Sequence, residues 1–115
     1  MKRLLTLFVL CVSSLLAVAA MAQFTGPSAA GPAATVADVQ NARIGSYVTL
    51  DGHIINHQRS DYFTFRDDTG EIRVEIAPNV WQGRRVGPED RVRLLGEVDR
   101  SFRGRYVWIK TLEVL

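Results

Sequence analysis

The sequence predicts an all-β fold, a small five-stranded barrel with a short N-terminal helix, following a cleaved signal peptide. Three observations lead there. Hydrophobic residues recur with period two in five segments between Tyr47 and Leu115, the alternation of half-buried strands. Two of those segments carry a glycine mid-strand, Gly52 and Gly96, where a tightly coiled sheet has no room for a side chain. The first 22 of the 115 residues read as an export address, which leaves one domain's length for a single core.

The address has three parts. Met1-Lys2-Arg3 is a basic head, and Leu4 to Val18 is uncharged, interrupted only by Thr6, Ser13 and Ser14. Ala20-Met21-Ala22 then places small residues at alternate positions, ahead of cleavage between Ala22 and Gln23. The apolar run is marginal for a membrane anchor, which needs about 20 residues. Leu10 before Cys11 disfavours lipidation, where a small residue is needed. Cleavage removes Lys2, Arg3 and Cys11, so the formal charge of +2 becomes a balance of 12 basic and 12 acidic residues with no cysteine. The mature chain is expected in the periplasm, without a disulfide, a catalytic thiol or a zinc–thiolate site. No stable membrane insertion is expected after processing.

Residues 23–34 (QFTGPSAAGPAA) read as a flexible leader, and 35–115 as the barrel domain. Thr35-x-x-Asp38 has the form of a capping box, and Val36, Val39 and Ala42 recur at helical spacing. A short helix is expected from Val36 to Arg43. The first strand, Tyr47 to Ile55, alternates Val48, Leu50, Gly52 and Ile54 with Tyr47, Thr49, Asp51 and His53. The second, Asp61 to Arg66, sets Phe63 and Phe65 against Tyr62, Thr64 and Arg66. Asp67-Asp-Thr-Gly70 is a turn with glycine where positive φ is needed, and Glu71 to Ile76 returns with Ile72, Val74 and Ile76 inward. Pro78, Gly83, Gly87 and Pro88 break the pattern between Ala77 and Asp90, although Val80, Trp81 and Val86 remain to plug one end of the core. Arg91 to Asp99 resumes the alternation. After a Ser101–Gly104 loop, the last strand runs from Arg105 to Leu115, with Val107 and Ile109 opposed to Tyr106, Trp108 and Lys110.

This succession fits the OB barrel, with the connection between strands three and four lying across the barrel bottom; an SH3-like barrel or a small open sheet shares the same periodicity. Five motifs stand in order along the chain: Phe24-Thr-Gly-Pro27, Val48-x-Leu-x-Gly52-x-Ile, Phe65-x-Asp67-x-x-Gly70-x-Ile-x-Val-x-Ile76, Trp81-x-Gly83 and Val92-x-Leu-x-Gly-Glu-Val-Asp99. Over almost all of residues 24–115 the set resembles the bacterial OB-fold (BOF) family of secreted stress-tolerance proteins, of the YgiW/YdeI type. The Arg84-Arg85 pair departs from that pattern. The resemblance implies an OB barrel, a periplasmic location, no known catalysis, a part in surviving envelope or chemical stress, and a ligand other than nucleic acid. It carries over no catalytic residues, because the motifs fall on core and turn positions.

OB barrels bind on strands two and three, flanked by the loops between strands one and two and between four and five. Tyr62 offers stacking there, Arg66 and Arg73 forked donors, and Glu71 and Glu75 acceptors, beside Asp51 of strand one. Cross-strand pairing of Arg66 with Glu71 or Glu75 is the competing arrangement. Arg103 and Arg105 cluster with Arg100 and Trp108 around the last loop, suited to lipid phosphate, a porin surface or a glycan, or else forming a plain polar hairpin tip. The ligand-binding candidates are thus Asp51, Tyr62, Arg66, Arg73, Glu75, Arg103, Arg105 and Trp108. A single-strand nucleic-acid groove needs concentrated positive charge with stacking aromatics, and interspersed acids argue against it here.

His53 and His57 lie ~13 Å apart in extended chain, at about 3.3 Å per residue, so no metal site is expected, nor any cofactor. Asp67-Asp68 lacks the spacing of a calcium loop. Ser46, Ser60 and Ser101 have no nucleophile elbow, and Asp51 with Glu75 has no surrounding cleft, so no enzyme is expected. The expected molecule is a monomeric, exported binding protein that supports envelope stress tolerance through a ligand or an envelope partner protein. The alternative is an accessory binder of periplasmic cell-wall glycan or a small anionic ligand.

Overall fold

The computed structural model describes residues 31–115. The expected signal peptide and the leader up to residue 30 lie outside the described residues. Five strands build the barrel: β2 (Tyr47–Arg59), β3 (Tyr62–Asp67), β4 (Gly70–Glu75), β5 (Val92–Ser101) and β6 (Gly104–Val114). A two-residue strand β1 (Ala33–Ala34) and a helical turn α1 (Val36–Val39) precede them, and a second turn α2 (Pro78–Trp81) lies between β4 and β5. The strand order is β1-β2-β3-β4-β6-β5, and β2 pairs again with β5 to close the sheet. Closure, together with the parallel β4–β6 pair, gives the OB arrangement and excludes an open sheet.

The closure depends on one long, bent strand. Residues 47–52 of β2 pair with β5, and residues 53–59 pair with β3. Gly52 sits at the changeover, where a Cβ would run into the Arg66 carbonyl and the Phe65 ring. Gly96 plays the same part in β5: a Cβ there would come within 2.6 Å of the Trp108 carbonyl oxygen, beside a register shift at Leu95/Gly96. The inward residues of all five strands, Leu50, Phe65, Val74, Leu94 and Ile109 among them, meet in one core. Val80, Trp81 and Val86 pack on its edge, as expected for the plug, and Phe63 of β3 joins them, with Trp81 edge-on to Phe63 at 5.2 Å.

Three local features differ from the expectation. The helix is four residues long rather than eight. Its capping box forms, with Thr35 N donating to Asp38 Oδ2 (2.9 Å) and Asp38 N to Thr35 Oγ1 (3.2 Å). Beyond Val39, however, the Asn41 and Ala42 amides donate to carbonyls three residues back, which tightens and ends the turn. Residues 31–34, placed in the leader by composition, are pinned to the barrel, with Thr49 N donating to Pro32 O (2.9 Å) and β1 running parallel to β2. Thr49, expected on the outer face, is consequently buried, and its hydroxyl donates to the Gly31 carbonyl.

The β3–β4 turn also caps the helix. Asp67 Oδ2 accepts from Val36 N (2.8 Å), and Asp67 Oδ1 accepts from the Thr69 amide (2.8 Å) and hydroxyl (2.6 Å). Burial alone would raise this carboxyl, but bonds from the Thr69 hydroxyl and the Val36, Thr69 and Gly70 amides together hold it below its ordinary value.

Candidate ligand-binding groove

The parallel β4–β6 register brings Arg73, on β4, beside Tyr106 of β6, while antiparallel β3 brings Tyr62 diagonally next to both. The Arg73 guanidinium carbon lies 5.0 Å from the Tyr62 ring centre and 5.4 Å from that of Tyr106. The two rings meet edge to face at 6.2 Å. Arg73 Nη2 donates to Ser101 Oγ (2.6 Å), whereas its Nε is buried without an acceptor. Tyr106 donates its hydroxyl to Asp99 Oδ2 (3.2 Å), and burial, helped by the Asp99 charge and hydrogen bond, pushes its pKa up to about 12. The phenol is thus held neutral against the cation.

Beside this assembly runs a groove of about 350 Å³, lined by Gln40, Gln58, Glu71, Arg73, Arg103 and Arg105 among others. The β5–β6 hairpin forms one wall. Arg105 Nε donates to the Ala42 carbonyl at the end of the helical turn (3.1 Å), and Arg103 N donates to Ser101 Oγ (3.2 Å). One step along the outer surface, Tyr62 is level with Glu75, Glu75 with Trp108, and Trp108 with Glu97. Trp108 is 43% exposed, and Lys110 Nζ rests 3.0 Å from its ring centre.

Tyr62, Arg73, Glu75, Arg103, Arg105 and Trp108 therefore share one stretch of surface. Arg66 and Asp51 do not join them. Arg66 is engaged by Glu71 across the β3–β4 pair (2.6 Å). Asp51 faces β5, where Arg93 donates to both of its oxygens (2.9 and 3.2 Å), an engagement that also raises the Arg93 pKa. Tyr106, Ser101, Gln40 and Gln58 belong to the site although they were not among the candidates. Tyr106 shares the outward parity of Trp108, but its partnership with Arg73 depends on the parallel register, which periodicity does not reveal.

His57 stacks on Phe63 (4.5 Å) and donates Nε2–H to the Ser60 carbonyl (2.7 Å). Among the described residues no group of three His, Cys, Asp or Glu side chains is placed to hold a metal.

A family model described as bacterial OB fold (BOF) protein matches residues 17–114. The calcium-regulated OB-fold protein CarO of Pseudomonas aeruginosa is 35% identical over 94 residues, covering 82% of this chain and 81% of that one. Protein YgiW of Escherichia coli is 32% identical over 100 residues, with 77% of each chain covered. The solved YgiW structure superposes with a TM-score of 0.72 at 30% identity, over 81% of this chain and all of that one. Asparaginyl-tRNA synthetase from Pyrococcus horikoshii is also similar, with a TM-score of 0.62 at 26% identity over 71% of this chain and 22% of that one.

Proposed function

The chain belongs to the bacterial OB-fold (BOF) family, and on that premise we propose that it is an exported, non-enzymatic binding protein whose groove takes a small anionic ligand. A carboxylate-bearing fragment of cell-wall glycan is the chemistry that fits. The observation that carries this reading is Arg73, whose buried Nε–H has no acceptor. A buried donor left unpaired costs about 1–3 kcal/mol, and a small movement of the Arg73 side chain that lets its Nε–H meet a carboxylate in the groove recovers that cost through a charge-assisted bond. Tyr62 and Tyr106 meet edge to face and both contact the guanidinium, which restricts the side chain, so little side-chain entropy is lost on binding. Arg103 and Arg105 add positive charge along the wall.

A sugar is favoured by the adjoining row. Trp108 offers an apolar ring face between Glu75 and Glu97, whose carboxylates suit hydroxyl donors. Lys110 lies over that ring and would have to swing aside. Holding glycan fragments is the route by which the protein would support envelope stress tolerance in the periplasm. An adaptor bound to an envelope protein is the competing reading.

Sedimentation of the mature protein with isolated peptidoglycan tests the choice. Retention is expected, and Arg73→Ala should weaken it by roughly ten- to a hundredfold, the loss of one or two charged hydrogen bonds. Retention unaffected by Arg73→Ala, or specific recovery of an outer-membrane protein without retention on peptidoglycan, would overturn the glycan reading.

A further inference from the structure

We propose that the tip of the β5–β6 hairpin docks the protein reversibly on an anionic lipid surface. Phe102 occupies that tip and is 96% exposed, far more than any other large hydrophobic side chain among the described residues. It is not part of the groove lining, so a groove ligand leaves it uncovered. Cations surround it. Arg103 stacks on its ring (5.8 Å), and Arg100 and Arg105 face each other one step below the turn.

Among the described residues Arg66, Arg91 and Arg93 form ion pairs with Glu71, Asp51 and Glu113 and the other eight arginines form none; three of those eight, Arg100, Arg103 and Arg105, lie together at this hairpin end. Asp99, just before the tip in β5, is already engaged by the Tyr106 hydroxyl and the Arg100 amide. Uncompensated positive charge is thus concentrated around the exposed ring.

The tip is also held firmly. Ser101 Oγ accepts from Arg73 Nη2 and from the Arg103 amide, and Arg105 is tied to the Ala42 carbonyl. Positive φ at Gly104 closes the turn. A rigid stalk presenting one apolar ring among guanidinium groups matches a phosphate-covered interface: the ring enters the boundary between headgroups and acyl chains while the arginines meet phosphates. A protein partner fits less well, because protein hot spots need a packed apolar surround. Among the described residues no helix is long and apolar enough to cross a membrane, so the contact is peripheral.

Flotation of the mature protein with vesicles tests this without disturbing Arg73. Vesicles of phosphatidylcholine containing phosphatidylglycerol should carry the protein upward in a salt-sensitive manner, and phosphatidylcholine alone should not. Phe102→Ala should lower partitioning roughly tenfold and Arg100→Gln about fivefold, the effect of one basic residue at an anionic surface. Arg85→Gln, which removes the same charge from the connection before β5, should leave it within about twofold if local charge and not net charge governs. Circular-dichroism melts matching the wild type certify the fold of all three variants, whatever the groove binds. Failure to float with anionic vesicles, equal flotation with both lipids, or Phe102→Ala behaving as wild type would overturn the proposal. Phe102-dependent capture of a protein without vesicle binding would do the same.

Discussion

Arg73 shows how little of a site depends on the identity of its central residue alone. Its charge and outward parity were legible from the alternation of Glu71 to Ile76, as was Tyr62 across the hairpin. The second ring was not, because Tyr106 reaches Arg73 only through a parallel pairing between strands distant in sequence. For Arg66 the competing cross-strand pairing with Glu71 is the one that forms, and Asp51, which carried no such alternative, is engaged by Arg93. Parity gives a residue's face, whereas register decides who occupies it. Tyr106 supplies a test at this scale. Its folded pKa is raised to about 12 while an unfolded tyrosine ionises at about 10, so its stabilising effect is complete below pH 10 and is lost as the pH rises toward 12. Absorbance titration should show a tyrosinate step near pH 12 that disappears in Tyr106→Phe. An unchanged titration in that variant would remove the burial and the Asp99 contact from the account.

The strands were the legible elements, and the segment ahead of them was not. Period two with a glycine at each point of close approach located all five barrel strands, since each buries one face on a shared core. Gly31 to Ala34 read as leader because Gly, Pro and Ala carry no hydrophobic pattern, yet backbone bonds alone suffice to pin them along β2. Asp67 was likewise read as a turn residue, which it is, but it also holds the helical turn through Val36 N. Its folded pKa is lowered, so its contribution is present above the ordinary carboxylate value of about 3.9 and is lost as the pH falls through the folded value. At neutral pH, Asp67→Ala should cost about 1–2 kcal/mol, a fall in Tm of roughly 5–10 °C for a domain of this size. In melts recorded near about pH 3 the gap between wild type and variant should narrow. A gap that does not depend on pH would contradict the clamp.

At the scale of the molecule, balanced charge proves to be an unevenly distributed property. Acidic and basic residues are equal in number over residues 23–115, but ion pairs gather around Asp51 and Glu71 while the groove wall and hairpin tip keep their arginines unpaired among the described residues. The likeness to asparaginyl-tRNA synthetase is a likeness of fold. Arg73 lines a polar groove of the barrel, where an anionic ligand is proposed to bind through its unpartnered Nε–H. The most direct measurement is to follow the arginine Nε–H signals of the isotope-labelled mature protein by NMR while adding N-acetylmuramic acid, with N-acetylglucosamine as the uncharged counterpart. The Arg73 Nε–H signal should shift with the carboxylate-bearing sugar and stay in place with the neutral one. An Arg73 signal unmoved at saturating N-acetylmuramic acid, or moved equally by both sugars, would contradict it.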